Sequence, residues 1–147
     1  MKEVVAGVDI GGTNTVSGLV DRSGNIIATE KLITTDYPEI NDFISALSVS
    51  INRMLSKEKG LQLLGIGIGA PNGNYYRGTI ELAANLAWQG IIPFADLLRE
   101  KIDVPVLMTN DANAAAMGEM IFGAAKGMKD FIVLTLGTGL GSGIVIN

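Results

Sequence analysis

Apolar runs at the start of the chain predict three strands joined by tight turns. The runs cover residues 4–10, 15–21 and 26–34, and the turn residues Ser23, Gly24 and Asn25 separate the second run from the third. Because strands with short connections pair with their neighbours along the chain, this pattern predicts an antiparallel meander of three strands.

The rest of the chain alternates between helical and strand patterns. Apolar residues recur at helical spacing from Phe43 to Leu55, and Pro38 and Gly60 suit the first turn and the end of that helix. The remaining predicted elements are a glycine-laced strand over 63–69, an irregular loop over 72–92 with a short strand at 79–82, a helix over 93–101, a strand over 104–109, a helix over 111–122 and a hairpin over 131–136 and 143–146.

Three antiparallel strands followed by alternating helices and strands predict an α/β fold, with a mixed sheet and flanking helices. The apolar hairpin at residues 131–147 needs a surface to bury it. It is expected either to pack on the preceding sheet or to continue into further protein. Gly118 lowers the helix propensity of its segment, so we expect that helix to pack closely on the sheet there.

Composition narrows the classes of function. The 147 residues carry a net charge of −4, and the eleven basic residues are scattered, which argues against nucleic acid as a partner. The sequence contains no cysteine and no histidine, so disulfides, thiolate nucleophiles, cysteine-bound zinc and Ser-His triads are excluded within it, and carboxylates are left as candidate proton acceptors.

The sequence gives no sign of membrane attachment or export. No apolar run approaches the roughly 20 residues that span a bilayer, and the first residues lack the apolar core of a signal peptide. A cytoplasmic protein without a membrane partner is therefore expected.

Two glycine-rich turns interrupt apolar runs near the two ends of the chain. The first contains Gly11, Gly12, Thr13 and Asn14, and the second contains Gly137, Thr138, Gly139 and Gly141. Backbone N–H groups without side chains in the way suit phosphate oxygens, so the pair predicts a nucleotide held by its phosphates. Asp9 precedes the first turn, where its carboxylate suits Mg²⁺, although it would also suit a plain turn.

Asp111 is the candidate catalytic base. It follows a predicted strand and begins a predicted helix, and the helix dipole there favours the ionised carboxylate that accepts a proton. Asn110 or Asp111 is equally suited to cap the helix, and the two roles can coexist.

Five motifs follow one another along the chain: Asp9–Thr13, Gly69-Ala70-Pro71, Asn85–Trp88, Asn110–Glu119 and Leu136–Gly143. In this order they resemble the ROK sugar kinases, the bacterial glucokinases in particular, which share the ribonuclease H-like fold of actin-like, chaperone and hexokinase ATPases. The resemblance covers essentially the whole chain. It implies a first ribonuclease H-like lobe over residues 1–125 and the opening hairpin of a second lobe over 126–147.

The resemblance implies an ATP-dependent hexose kinase, with glucokinase as the leading candidate, in which Asp111 accepts the proton of the sugar 6-hydroxyl. Mg²⁺ would be bound at Asp9, and the ATP phosphates at both glycine turns. The implied sugar contacts are Gly73, Asn85, Asn110 and Asp111, and an amide suits sugar hydroxyls because it both donates and accepts. An ordinary loop role for Asn85 remains open.

The chain also departs from the family. The family's zinc motif, its later sugar-binding residues and its adenosine loop are absent, so the piece is expected to be inactive alone. Asn72 stands where family members have glycine, and Gly73 follows one position later. Family members commonly form homo-oligomers, so a dimer is expected.

Three alternatives remain open. A sugar-sensing ROK repressor would carry a helix-turn-helix ahead of the first strand, which here begins by about residue 4, and the acidic charge also argues against it. A non-catalytic sugar-binding fragment would suit the missing motifs. An actin-like or chaperone ATPase would use both glycine turns, but it would have no need of the Asn85–Trp88 and Asn110–Asp111 segments.

Overall fold

A five-stranded mixed sheet forms the centre of the protein, whose computed structural model describes residues 1–137 and 139–147. In chain order the elements are β1 (Lys2–Ile10), β2 (Asn14–Asp21), β3 (Ile26–Ile33), α1 (Ile40–Lys57), β4 (Leu61–Ala70), β5 (Gly73–Asn74), β6 (Thr79–Glu81), β7 (Ile91–Ile92), α2 (Phe94–Arg99), β8 (Val106–Asn110), α3 (Asp111–Phe122), β9 (Phe131–Leu136) and β10 (Leu140–Val145). A 3₁₀ turn over Thr34–Asp36 links β3 to α1.

The central sheet has the strand order β3-β2-β1-β4-β8. Strand β1 runs antiparallel to β2, with Gly7 opposite Gly18, and parallel to β4, with Gly7 beside Gly67. Strand β8 extends the parallel side. The predicted meander and the predicted mixed sheet with flanking helices are therefore confirmed.

The main core lies on one face of this sheet. Alternate residues of β1, among them Val4 and Val8, are buried there with the apolar face of α1. The ring of Trp88 packs against Phe43 with centroids 4.6 Å apart, and its Nε1 donates a hydrogen bond to the Tyr37 carbonyl at 3.0 Å. This cluster anchors the long segment between β4 and α2 to the core.

The segment over 72–92 is more ordered than its sequence predicts. Strands β5, β6 and β7 form a separate antiparallel sheet, of which the sequence pattern indicated only the middle strand. Strands of two residues are too short to show a period of two, so they leave no pattern to read. Helix α1 begins at Ile40, and Pro38 thus lies just before the helix and not in its first turn.

The C-terminal hairpin, expected to pack on the preceding sheet or to continue into further protein, forms a separate two-stranded sheet. Strands β9 and β10 pair with each other and pack on α3. Gly143 permits this contact, because a Cβ there would collide with the Ala112 carbonyl and lie 2.6 Å from the Ala116 Cβ. Small residues on both sides therefore allow strand and helix to approach closely.

The expectation that Gly118 marks close helix–sheet packing was wrong. A Cβ at Gly118 would find nothing within 4 Å among the described residues. Helix α3 instead approaches the sheet one turn earlier, where a Cβ at Gly69 would lie 3.1 Å from the Ala114 Cβ. Within the described ranges, no helix is long and apolar enough to cross a membrane.

Candidate active site between two glycine turns

The junction of β8 and α3 separates the two roles predicted for Asn110 and Asp111. The Asn110 Oδ1 accepts the backbone N–H groups of Ala112, at 3.0 Å, and Asn113, at 3.4 Å, and so caps the helix. The Asp111 Oδ1 also accepts the Ala112 N–H, at 2.8 Å. The Asp111 side chain is exposed, and its Oδ2 has no hydrogen-bond partner among the residues described. One carboxylate oxygen is thus available to a substrate.

The first glycine turn is closed by a hydrogen bond from the Gly11 N–H to the Asn14 carbonyl, at 3.0 Å. A Cβ at Gly11 would lie 2.7 Å from that same carbonyl oxygen. A Cβ at Gly12 would lie 2.5 Å from the carbonyl oxygen of Asn85. The glycines are therefore required sterically, and the second of them holds the Asn85 backbone against the turn. The carbonyl of Thr13 accepts the Thr34 N–H at 2.8 Å and ties the turn to the 3₁₀ segment.

The second glycine turn connects β9 to β10. The Gly137 N–H donates to the Gly139 carbonyl at 3.0 Å, and Gly141 lies so close to the Thr135 hydroxyl that a Cβ would collide with it. Thr138, predicted to bind phosphate, lies outside the described residues.

A cavity of about 510 Å³ lies between the two turns and the start of α3. Its lining residues are Gly11, Pro71, Asn72, Asn85, Asn110, Asp111, Thr135, Leu136, Gly137, Gly139, Leu140, Gly141 and Ser142. Segments distant in the sequence thus place a free carboxylate, three asparagine side chains and glycine-rich backbone around one space. This size is within the range of about 300–1,000 Å³ that is usual for small-molecule sites.

Asp9 lines a neighbouring cavity of about 400 Å³ together with Asp111 and Thr135. Partial burial raises the pKa of Asp9, and the negative charge of Asp111 raises this pKa further. Neither carboxylate forms an ion pair within the part of the chain that the structure describes. Two carboxylates that line one cavity without a basic partner favour a bound cation.

Asp9 and Asp111 could bind Mg²⁺ only if a bound ligand supplied further oxygen atoms. No group of three or more metal-ligating side chains occurs among the described residues. One or two carboxylates, completed by phosphate oxygens and water, are nevertheless the usual way in which proteins hold Mg²⁺.

The structure brings most of the predicted site residues together and leaves some apart. Gly12 contacts the backbone of Asn85. Thr13 and Asn14 accept backbone hydrogen bonds that hold the first turn, and they line neither cavity. Gly73 lines a third cleft next to the main cavity. Sequence reasoning missed Thr135, which lines both cavities. A polar residue in an apolar strand, two positions before a glycine turn, was the available signal.

Comparisons with known proteins identify the family of the chain. A model of the ROK family matches residues 5–147. The glucokinase of Streptomyces coelicolor is 40% identical over 141 residues, which cover 95% of this chain and 43% of that protein. The xylose repressor of Bacillus spizizenii is 36% identical over 145 residues, which cover 96% of this chain and 37% of the repressor.

A solved structure supports the same fold. The ROK family glucokinase from Streptomyces griseus, in complex with glucose and AMPPNP, superposes with a TM-score of 0.85 and 40% identity, over 97% of this chain and 44% of that one. The predicted actin- and hexokinase-like fold is therefore confirmed. The chain spans less than half the length of these relatives.

Proposed function

This chain belongs to the ROK family, and from that premise we propose that it carries part of an ATP-dependent hexose kinase, with glucose as the leading substrate. The observation that carries the proposal is the free carboxylate of Asp111, which lines the cavity between two glycine turns while Asn110 caps the helix. The similarity to glucokinases along almost the whole chain supports it.

In the proposed reaction, Asp111 accepts the proton of the sugar 6-hydroxyl. The hydroxyl oxygen then attacks the γ-phosphorus of ATP, and ADP leaves. The amides of Asn85 and Asn110 orient the other sugar hydroxyls, and the backbone at Gly73 borders the sugar. Mg²⁺ held by Asp9 would neutralise negative charge on the phosphates when it is bound.

The proposed phosphate-binding groups belong to the two turns: Gly11, Gly12, Thr13, Asn14, Gly137, Thr138, Gly139 and Gly141. A glycine turn suits this task because its N–H groups are not shielded by side chains. Residues 1–125 would form the first lobe and residues 126–147 the opening hairpin of the second. In this proposal the protein works in the cytoplasm as a homodimer, and the 147-residue chain alone is inactive.

The test measures ADP release from Mg²⁺-ATP over a panel of hexoses, for this chain and for the longest natural polypeptide that contains it. We expect glucose to stimulate release by the longer polypeptide, and Asp111→Asn to lower that rate by about 10²- to 10⁴-fold. Asp103→Asn is the matched control, because it makes the same change at an exposed acid outside both cavities. Undiminished release by Asp111→Asn would refute the role of Asp111 as base.

The similarity to xylose repressors favours a second candidate, a sugar-sensing ROK protein. A sensor would bind xylose or glucose in the same cavity without releasing ADP. Sugar binding without sugar-stimulated ADP release would therefore favour the sensor, or a non-catalytic sugar-binding fragment, over the kinase. ADP release that ignores sugar altogether would favour an actin-like ATPase.

A further inference from the structure

A third cleft, of about 520 Å³, adjoins the candidate active site and shares Asn72 with it. We call it the tyrosine cleft. Its side chains include Asn74, Tyr75, Tyr76, Glu81 and Asn113. None of these residues belongs to the phosphate- or proton-transfer machinery proposed above.

Two exposed tyrosines distinguish this cleft. Tyr75 is 57% exposed and Tyr76 94% exposed, and their ring centroids lie 5.5 Å apart in an edge-to-face arrangement. Neither ring belongs to the buried core. Aromatic rings that the core does not need, beside polar groups in a concave surface, are typical of ligand sites.

The turn that carries these rings is firmly held. The Asn74 Oδ1 accepts the backbone N–H groups of Tyr76, at 3.0 Å, and Arg77, at 3.2 Å. The Gly78 N–H donates to the Asn74 carbonyl at 2.9 Å, and the Gly78 carbonyl accepts the Ala95 N–H at 2.9 Å. The backbone that presents the two rings is therefore ordered before any ligand binds, which lowers the entropic cost of binding.

The cleft also offers hydrogen-bonding groups of both kinds. The Glu81 Oε1 accepts hydrogen bonds from Thr79, at 2.7 Å, and Asn74, at 3.1 Å. The hydrogen bond from the Thr79 hydroxyl is the largest contribution that lowers the pKa of Glu81, with Arg77 and Asn74 adding to it, so the carboxylate is ionised at neutral pH. Within the described residues the Glu81 Oε2 and the side-chain amide of Asn113 have no hydrogen-bond partner.

We propose that the tyrosine cleft binds a pyranose ring next to the catalytic cavity. A tyrosine face suits the C–H face of the ring, while the carboxylate of Glu81 and the amide of Asn113 suit its hydroxyls. This inference rests on the proposed sugar kinase for its class of ligand. The ring would come from one of two sources: a second free hexose, or the second unit of a disaccharide whose first unit occupies the catalytic cavity.

The test follows backbone amide signals of the ¹⁵N-labelled 147-residue chain by NMR during titration with glucose, maltose and cellobiose. We expect a saccharide to shift the signals of Tyr76 and Arg77, and Tyr76→Ala to weaken the apparent affinity at these signals about tenfold, within the usual energy of an aromatic contact. Ile26→Ala is the control, because it removes an exposed apolar side chain outside the cleft.

The titration distinguishes the two sources of the ring. If free glucose shifts the signals of the turn, and the affinity fitted to them differs from the affinity fitted to the signals of Asn110 to Ala112, the ring is a second hexose. If only a disaccharide shifts the turn, together with Asn110 to Ala112, the ring is its second unit. Either result supports the tyrosine cleft.

Three results would overturn it. The first is that no saccharide shifts the signals of Tyr76 or Arg77, and the second is that Tyr76→Ala leaves the titration unchanged. The third is that the shifts depend on protein concentration and not on sugar, which would assign the tyrosines to a contact between copies. If sugar shifts the signals of Asn110 to Ala112 but not those of the turn, the proposed kinase function is unaffected. The reverse pattern supports the cleft and removes support from the sugar site of the kinase.

Discussion

Asn110 illustrates how one side chain serves both structure and binding. Its Oδ1 accepts two N–H groups of α3, and its side chain also lines the cavity between the glycine turns. A cap that keeps Asp111 exposed also fixes the position of the candidate base. Stability and ligand binding should therefore respond differently to different replacements of this residue.

We expect Asn110→Ala to lower the free energy of unfolding by about 1 kcal/mol, because the Asn113 N–H loses its acceptor and the Ala112 N–H keeps only the Asp111 Oδ1. Asn110→Asp should keep that free energy near the wild-type value, since aspartate caps equally well, while it loses the donor that a sugar hydroxyl would use. Urea unfolding measures the first effect and sugar titration the second. Equal stability of Asn110→Ala and wild type would contradict the capping role.

A pair of glycines gives a second test at this scale. Gly118→Ala should raise the free energy of unfolding by about 1 kcal/mol, because the site is helical and its Cβ meets open space. Gly143→Ala should lower it by about 1–3 kcal/mol, because the new Cβ collides with Ala112 and Ala116. Thermal unfolding compares the two variants. A Gly143→Ala variant as stable as wild type would refute the packing described for β10 on α3.

Among the elements, β3 and α1 are joined by a cluster around Glu30. Its carboxylate accepts hydrogen bonds from the Ser50 hydroxyl, at 2.7 Å, and from the Arg53 Nε, at 2.8 Å. The Lys57 Nζ lies 3.4 Å from the Glu30 Oε1. The Arg53 hydrogen bond is the largest cause that lowers the pKa of Glu30 from 4.5 to about 2. The cluster thus stabilises the outer strand against the helix at neutral pH.

The unfolded chain binds the Glu30 proton more readily than the folded chain does, because the folded pKa is the lower one. The stabilisation is therefore present above pH 4.5 and is lost as the pH falls through about 2. Glu30→Gln should lower the free energy of unfolding at pH 7 by only about 1 kcal/mol, because the basic partners of Glu30 are solvent-exposed. The variant should also make the free energy of unfolding depend less on pH in this window. Urea unfolding from pH 7 to pH 2 checks this. Parallel profiles for variant and wild type would contradict it.

The elements differ in how well their sequence predicts them. Strands β1 to β3 and helix α1 repeat a period long enough to be recognised, and they were predicted within a few residues. The beginning of β10 was missed because glycines interrupt its apolar pattern. Its packing on α3 depends on the missing Cβ of Gly143 against a helix carbonyl, and no local pattern reveals such a contact.

The candidate site divides in the same way. The glycine turns are local signals, and Asp111 was singled out by its place between a strand and a helix together with the family resemblance; the binding and catalytic roles of these residues stay predictions. Thr135 and the tyrosine cleft consist of residues whose neighbours come from other segments of the chain. Only tertiary structure brings them together.

Across the whole molecule, the two faces of the central sheet differ. One face is covered by α1, whereas the other carries a row of three adjacent glycines, Gly18, Gly7 and Gly67. Exposed apolar side chains such as Val16 and Leu107 border the row, and they line a groove of about 500 Å³. Because these glycines leave the backbone uncovered, the groove is predominantly apolar and should bind an apolar dye.

A side chain that fills the groove tests whether the groove binds the dye. Gly67→Val should lower the binding of the dye ANS several-fold and raise the free energy of unfolding by roughly 0.5–1 kcal/mol, because its Cβ meets open space and a β-branched residue suits a strand. Gly65→Val is the matched control on the same face of β4, where a Cβ would lie 3.1 Å from the Pro105 carbonyl oxygen, so that variant should be destabilised. Dye fluorescence and thermal unfolding of the two variants decide the matter. If Gly67→Val binds the dye as wild type does, the dye occupies another surface and the open face is not the dominant apolar site.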